Sequence, residues 1–183
     1  MLDLIGENRF EEVTDFLAAE VKRLASAGAD FALLASNTPH IVFDRVQQAS
    51  SLPMISIVEA ACDTALNRGM KRVGLLGTRF TMQGGFYQKV FSAQGMEVVV
   101  PDAPDRETIH AKYMEELVKG VFREDTKREL LAIVDRLVKR EHIQGLIPGG
   151  TELPLILKEA DATEIPFLDT TRIHVESVMK RLS

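Results

Sequence analysis

Residues 31–40 read Phe-Ala-Leu-Leu-Ala-Ser-Asn-Thr-Pro-His. The apolar run at the start is too short for a helix, and Gly28 before it and the Asn-Thr-Pro turn after it predict a buried parallel strand. Asn37 or Thr38 is expected to cap the next helix, because Pro39 lacks a backbone N–H that the first helical turn leaves unpaired anyway. The stretch therefore predicts a strand, a turn and a helix of an α/β fold.

The same alternation continues on both sides of this stretch. Apolar residues recur at steps of three and four between Phe10 and Leu24 and predict an amphipathic helix. Further strands are predicted at 54–57, 72–76, 97–100, 144–147 and 165–168, and further helices at 59–68, from after Met82 to Gln94, 107–121, 126–140, 153–158 and 172–182. Because short apolar strands alternate with helices and no tight hairpin is indicated, the chain is predicted to be α/β with parallel sheets.

Composition excludes several classes of function. The chain has 183 residues, of which 45% are hydrophobic, so it can bury a sizeable core. Its net charge of -5 and the lack of a Lys/Arg cluster argue against nucleic acid and anionic membranes as partners. No apolar run approaches the roughly 18 residues of a membrane span. We therefore expect a cytoplasmic protein with no membrane and no nucleic-acid partner.

The residues that commonly bind metals are few and scattered. Cys62 is the single cysteine, which excludes an internal disulfide. The four histidines show no metal-ligand spacing; they are His40, His110, His142 and His174. We expect no metal site, and we expect Cys62 to be a buried, inert thiol because it lies within a helical pattern.

Four loops are the candidate positions for a ligand. In parallel α/β sheets, ligands bind beyond the carboxyl ends of the strands. The loops that follow predicted strands are 36–40, 78–82, 149–152 and 169–171, and all are rich in hydroxyl-bearing and small residues. Helix N-termini after such loops favour anions. The sequence predicts a pocket for a small carboxylate or phosphate.

Five segments, in order along the chain, resemble the aspartate/glutamate racemase family. Its members carry a Cys-Asn-Thr-x-His turn and a Gly-Cys-Thr-Glu-x-Pro turn. Here the corresponding stretches are Ser36-Asn-Thr-Pro-His40 and Gly149-Gly-Thr-Glu-Leu-Pro154. Also similar are Val73–Thr81 with Tyr87, Glu115–Gly120 and Phe167–His174. The resemblance covers essentially the whole chain.

The resemblance implies a fold of two pseudo-symmetric α/β lobes with parallel sheets and a site in the cleft between them. One lobe would comprise residues 1–70 and 165–183, the other residues 71–164. The implied activity is amino-acid racemisation without any cofactor, with a thiol on each side of the substrate α-carbon. Residues implied to bind a small amino acid or dicarboxylate are Asn37, Thr38, Thr78, Thr81, Thr151 and Glu152, with Lys119 for a side-chain carboxylate.

Both thiol positions depart from the family pattern. Ser36 and Gly150 replace the two cysteines. A thiol can be tuned to a thiolate near neutral pH, whereas a serine hydroxyl is a far weaker acid and glycine has no exchangeable side-chain proton. The symmetric two-thiol mechanism is therefore excluded. Cys62 cannot replace either thiol, because it is expected inside a helix.

The chain also begins late relative to the family. A first strand, a Gly-rich loop and a second strand precede the helix that opens here near residue 8, so the N-terminal lobe is expected to be truncated. This predicts a fragment, a misassigned gene start, or a protein that fills the gap by self-association. For a complete chain we expect a homo-oligomer.

Two hypotheses of function remain, with a weaker third. In the leading one the protein is an isomerase with a weakened proton-transfer pair. Ser36, helped by His40 or by water, handles one proton, and water admitted beside Gly150 handles the other. His40 also has a purely structural interpretation. The alternative is a non-catalytic binder of an amino acid or dicarboxylate. Phosphate binding at Gly77–Thr81 is weaker, because the loop lacks the nucleotide-binding Gly-x-x-x-x-Gly-Lys-Ser/Thr pattern.

Overall fold

The computed structural model describes residues 1–158, 161 and 165–182, and it has an α/β fold with two parallel sheets. The first sheet pairs β1 (Ala32–Leu33) with β2 (Met54–Ile55). The second has the order β4-β3-β5, with β3 at Arg72–Gly77, β4 at Glu97–Val99 and β5 at Leu146–Gly149. All pairings between these strands are parallel. The predicted fold class is confirmed.

Helices connect and cover these strands. The α-helices are α1 (Leu2–Gly6), α2 (Phe10–Ser26), α3 (Phe43–Ala49), α4 (Ile57–Asn67), α5 (Arg79–Gln83), α6 (Phe86–Ala93), α7 (Ala103–Glu115), α8 (Glu124–Glu141), α9 (Leu153–Ile156) and α10 (Thr170–Leu182). Two short 3₁₀ helices cover Thr38–Val42 and Leu117–Lys119. Within the described residues, every helix is too short or too polar to span a bilayer.

Side-chain caps explain where several predicted boundaries were wrong. The helix expected from residue 107 begins at Ala103, because the Asp102 carboxylate accepts from the Asp105 N–H at 3.2 Å. The expected loop at 77–82 contains α5, which Thr78 caps. Neither Asn37 nor Thr38 caps a helix: Asn37 precedes the 3₁₀ helix without a capping side-chain bond.

The last predicted strand, 165–168, is also shorter than expected. Among the described residues it is reduced to one parallel bridge between Phe167 and Leu146. The predicted helix 153–158 ends at Ile156. The boundaries assigned to the two lobes stay a prediction.

The core packs on both faces of the second sheet. Val73 and Leu75 of β3 point into one cluster with α4 and α6. Leu76 points to the opposite face, into a second cluster with α7 and α8. This alternation follows the two-residue period of a strand. A third cluster joins α2 and α3 to β1.

A close approach of two backbones brings the carboxyl ends of β3 and β5 together. Gly77 is paired with Gly149 in the register of these strands. A Cβ atom on Gly77 would lie 2.7 Å from the Gly149 carbonyl oxygen and 3.0 Å from the Thr81 Cβ. Glycine at this position therefore lets α5 pack directly over the strand ends, where the ligand loops begin.

Cys62 lies in α4 as a free, buried thiol. Burial, with the nearby carboxylates of Asp63 and Glu59, raises the pKa of this thiol to about 11. It is protonated at neutral pH and far from reactive. The expectation that Cys62 is buried within a helix is confirmed.

Candidate functional site

Three threonine hydroxyls form a closed cluster where the 36–40 loop meets the 78–82 segment. Thr38 begins the first 3₁₀ helix, while Thr78 follows β3 and Thr81 lies in α5. The Oγ1–Oγ1 distances are 3.0 Å for Thr38–Thr78, 3.1 Å for Thr38–Thr81 and 3.1 Å for Thr78–Thr81. All three residues are buried. The structure brings together three residues that the resemblance implies for ligand binding, and their hydroxyls are hydrogen-bonded to one another.

Asn37 links three further parts of the chain. Its Oδ1 accepts from the Tyr87 hydroxyl at 2.5 Å, and its Nδ2 donates to Thr170 Oγ1 at 3.1 Å. Thr170 Oγ1 in turn donates to the Pro148 carbonyl oxygen at 3.4 Å. Burial raises the pKa of Tyr87, so its phenol stays a donor. Thr170 lies in the candidate loop 169–171, but its bond to Asn37 could not be predicted from sequence, because this contact spans 133 positions.

Asn37→Ala is expected to destabilise the fold by about 2 kcal/mol, because it leaves two buried hydroxyls without their amide partner. Urea unfolding measures this loss. Asn67→Ala, at an exposed position at the end of α4, is the matched control and should change stability by less than about 0.5 kcal/mol. Equal stability of the two variants would contradict the structural role of Asn37.

His40 is held entirely by backbone groups. Its Nε2 accepts from the Ile57 N–H at 3.2 Å, so Nδ1 carries the proton and donates to the Ser36 carbonyl oxygen at 2.8 Å. Its ring also stacks on Phe43, with centroids 4.9 Å apart. Burial lowers the pKa of His40 to about 4. His40 is thus neutral and directed at the backbone of the loop, and neither ring nitrogen is free to activate the Ser36 hydroxyl.

A tyrosine fills the side-chain space beside Gly150, the position that the resemblance implies for the second thiol. A Cβ atom on Gly150 would collide with the Tyr113 hydroxyl, and it would lie 2.7 Å from Cε2 and 2.8 Å from Cζ of the same ring. The Tyr113 hydroxyl donates to Oε2 of Glu152, which also accepts from Thr151 Oγ1 at 2.8 Å. Burial and the Glu152 carboxylate raise the pKa of Tyr113. Sequence reasoning missed Tyr113, because nothing in α7 signals its contact with residue 150.

A cavity of 190 Å³ lies along α10, and neither Ser36 nor Gly150 lines it. Ala35, just before Ser36, and Thr151, just after Gly150, both contribute to its wall. The wall is mostly apolar, in contrast to the polar pocket expected for a carboxylate. Its lining residues are Leu33, Ala35, Ile57, Thr151, Thr171, His174, Val175, Val178 and Met179.

A larger cavity, of 340 Å³, lies on the other side of the first 3₁₀ helix, between residues 40–45 and 84–90. Its charged residues are exposed, and Lys89 pairs with Asp44 at 2.5 Å. None of the residues implied to bind ligand lines it, whereas Thr151 lines the 190 Å³ cavity. His40 lines the larger cavity, but both of its ring nitrogens are bonded to backbone groups. The 190 Å³ cavity is therefore the better candidate site.

Lys119 lies away from the candidate cavity. Lys119 is exposed at the end of the second 3₁₀ helix and does not line the candidate cavity. Across the part of the chain that the structure describes, no group of His, Cys, Asp and Glu side chains could hold a metal ion.

Comparison with known proteins agrees with this arrangement of loops. The model of the Asp/Glu/Hydantoin racemase family matches residues 7–178. The chain belongs to this family. The matched range includes both the 36–40 and the 149–152 loops.

Individual racemase relatives share sequence and fold with the chain. It is 28% identical over 159 residues to the broad-specificity amino-acid racemase RacX of Bacillus subtilis, covering 86% of this chain and 66% of RacX. A proposed Asp/Glu racemase from Yersinia pestis is 32% identical with a TM-score of 0.88, and the match covers 98% of this chain and 77% of that one. An aspartate racemase homologue from Pyrococcus horikoshii is 37% identical with a TM-score of 0.81, over 92% of this chain and 73% of that one. The chain spans just under two thirds of the length of RacX.

Proposed function

We propose that the protein is a cofactor-independent isomerase of the amino-acid racemase type, with a weakened proton-transfer pair. Its substrate would be a small amino acid or dicarboxylate. The observation that carries the proposal is the meeting of the two family loops at one cavity, with Ala35 beside Ser36 and Thr151 beside Gly150 in its wall. RacX, a broad-specificity amino-acid racemase by name, supports this substrate class.

The site residues fall into two groups by burial, and we assign each group a different role. Ser36, Thr151 and Glu152 are partly exposed and can contact a ligand directly. Asn37, Thr38, Thr78 and Thr81 are buried and bonded to other side chains, so they hold the loops in place. Binding of a side-chain carboxylate by Lys119, self-association and a cytoplasmic location stay predictions.

A non-catalytic binder is the second candidate, and two observations favour it. Both ring nitrogens of His40 are hydrogen-bonded to backbone groups, so His40 cannot act as a base for the Ser36 hydroxyl. Gly150 supplies no proton, and Tyr113 occupies the space of a side chain there. In this case the framework would bind an amino acid without exchanging its α-hydrogen.

Hydrogen exchange at the α-carbon separates the two candidates. The protein is incubated in heavy water with aspartate, glutamate and a panel of other amino acids, and the α-hydrogen is followed by NMR. The isomerase proposal expects loss of the α-hydrogen signal, slowed in Ser36→Ala. Binding of an amino acid without any exchange would reject the isomerase and favour the binder.

A further inference from the structure

The side-chain space beside Gly150 is occupied by a group that can carry a proton. A Cβ atom built on Gly150 points directly at the Tyr113 hydroxyl. The phenol oxygen thus lies where a cysteine side chain at position 150 would project. Tyr113 reaches this place from α7, and only 4% of its surface is exposed.

The hydroxyl is bonded to a proton acceptor that is itself fixed. Glu152 Oε2 accepts from Tyr113 and, at 2.8 Å, from Thr151 Oγ1. Glu152 is only partly buried, so its carboxylate keeps contact with solvent. A phenol, a carboxylate and a route to water are therefore arranged in series beside residue 150.

We propose that Tyr113 and Glu152 form a proton relay that replaces the second thiol of the family. This inference rests on the proposed isomerase function and assigns the groups on the second face of the substrate. Neither residue lines the 190 Å³ cavity itself, so the proposal places the substrate α-carbon beside Gly150, next to the Thr151 part of the cavity wall. There Tyr113 would exchange the proton with the α-carbon, and Glu152 would act through Tyr113.

The relay moves two protons and keeps the phenol neutral. When the α-carbon loses its proton, the C–H bond breaks and the proton forms a new O–H bond on Tyr113. The original phenol proton moves at the same time to Glu152, which becomes a carboxylic acid, and the electron pair stays on the substrate as a carbanion. In the reverse direction Tyr113 protonates the carbanion and recovers a proton from Glu152.

A relay suits these residues better than a free phenolate would. Burial and the adjacent carboxylate raise the pKa of Tyr113, so the phenolate is scarce at neutral pH. In the relay the phenolate never accumulates, because the proton on Tyr113 leaves as the new one arrives. The relay starts from the hydrogen bond that the Tyr113 phenol donates to Glu152 in the structure.

Tyr113→Phe and Glu152→Gln test the relay. Phenylalanine keeps the ring and removes the hydroxyl, and glutamine keeps the shape of Glu152 but cannot take up a proton. Each is expected to lower the turnover number for α-hydrogen exchange about 100-fold or more, with KM changed less than about threefold. The double variant should be no slower than the slower single variant, because both changes interrupt one relay.

The control removes a similar buried bond elsewhere. Thr126 Oγ1 donates to the Glu116 carboxylate near the end of α7. Thr126→Val deletes this hydroxyl–carboxylate bond and should leave the exchange rate within about threefold of the unmodified protein. A second readout is the rate in mixtures of light and heavy water. The phenol proton exchanges with solvent and moves while the C–H bond breaks, so the rate should fall in proportion to the deuterium fraction. This solvent isotope effect should be lost in Tyr113→Phe if Tyr113 transfers the proton.

The outcomes separate this inference from the function on which it rests. If the unmodified protein exchanges the α-hydrogen and Tyr113→Phe and Glu152→Gln match its rate, the relay is rejected and the isomerase stands. If only one variant folds, its rate alone decides in the same way. If the unmodified protein exchanges no amino acid in the panel, both the relay and the isomerase are rejected.

Discussion

Gly150→Cys is expected to destabilise the protein by about 3 kcal/mol, at the upper end of the usual cost of overpacking a core. The new Cβ would overlap the Tyr113 ring, whose Cε2 and Cζ atoms lie 2.7 and 2.8 Å from its ideal position. Tyr113 cannot retreat freely, because Glu152 holds its hydroxyl and the α7 core holds its ring. The free energy of unfolding in urea measures the effect.

A mutant cycle shows whether Tyr113 is the cause. Tyr113→Ala should relieve the collision, so Gly150→Cys should cost less in that background than in the unmodified protein. Gly6→Cys is the matched control: its Cβ would meet only Phe80 Cζ at 3.5 Å, an ordinary contact. If Gly150→Cys is no more destabilising than Gly6→Cys, Tyr113 does not fill this space.

The same collision bears on restoring the family thiols. Ser36→Cys with Gly150→Cys returns both sulfur positions, yet the second thiol would compete with Tyr113 for one site. We expect this pair of substitutions to raise racemase activity above that of the unmodified protein only when Tyr113 is also made smaller. A gain in the double variant with Tyr113 intact would contradict the geometry.

Acidification from pH 6.5 to pH 4 is expected to cost about 3 kcal/mol of stability through His40 alone. Burial lowers its pKa in the folded protein from the usual 6.5 to about 4. The unfolded chain therefore binds a proton at His40 near pH 6.5, whereas the folded protein binds it only near pH 4. The resulting loss of folding stability is absent above pH 6.5, grows as the pH falls through this window, and is complete below it.

Urea unfolding across this pH range, with an NMR titration of the His40 ring, checks the prediction. His40→Gln removes the titrating group, so its stability should fall less steeply with acid than that of the unmodified protein. Burial also lowers the pKa of His174, and His174→Gln measures that separate share of the slope. A His40 titration midpoint near 6.5 in the folded protein would contradict the burial seen here.

Local signals in the sequence were sufficient for the class of fold. The apolar run before Ser36 and the glycine at position 28 indicated β1 correctly, because strand length and turn residues act over a few neighbours. The predicted start of α7 is wrong, although Asp102 and Pro104 carry a capping signal. Thr78 likewise caps α5, where a loop is predicted.

The candidate site was only partly predictable, since the family motifs name the loops but not what surrounds them. The contact of Tyr113 with Gly150 joins a helix to a loop 37 positions away, and no periodicity encodes such a pair. The bond between Tyr87 and Asn37 spans 50 positions. These contacts depend on how α6 and α7 pack on the sheet, which only the three-dimensional structure reveals.

The cluster of Thr38, Thr78 and Thr81 also constrains how the sequence can change over generations. Each hydroxyl is buried and bonded to the other two. Removing one leaves the other two short of a hydrogen-bond partner and costs about 1–3 kcal/mol of stability. Exchanging all three for valine would remove the unpaired hydroxyls but leave the Thr81 N–H without the Thr78 hydroxyl that caps α5. The combined exchange therefore still costs the helix cap, about 1 kcal/mol. Every route away from the three threonines is penalised, so the cluster would persist even in a protein that binds no amino acid.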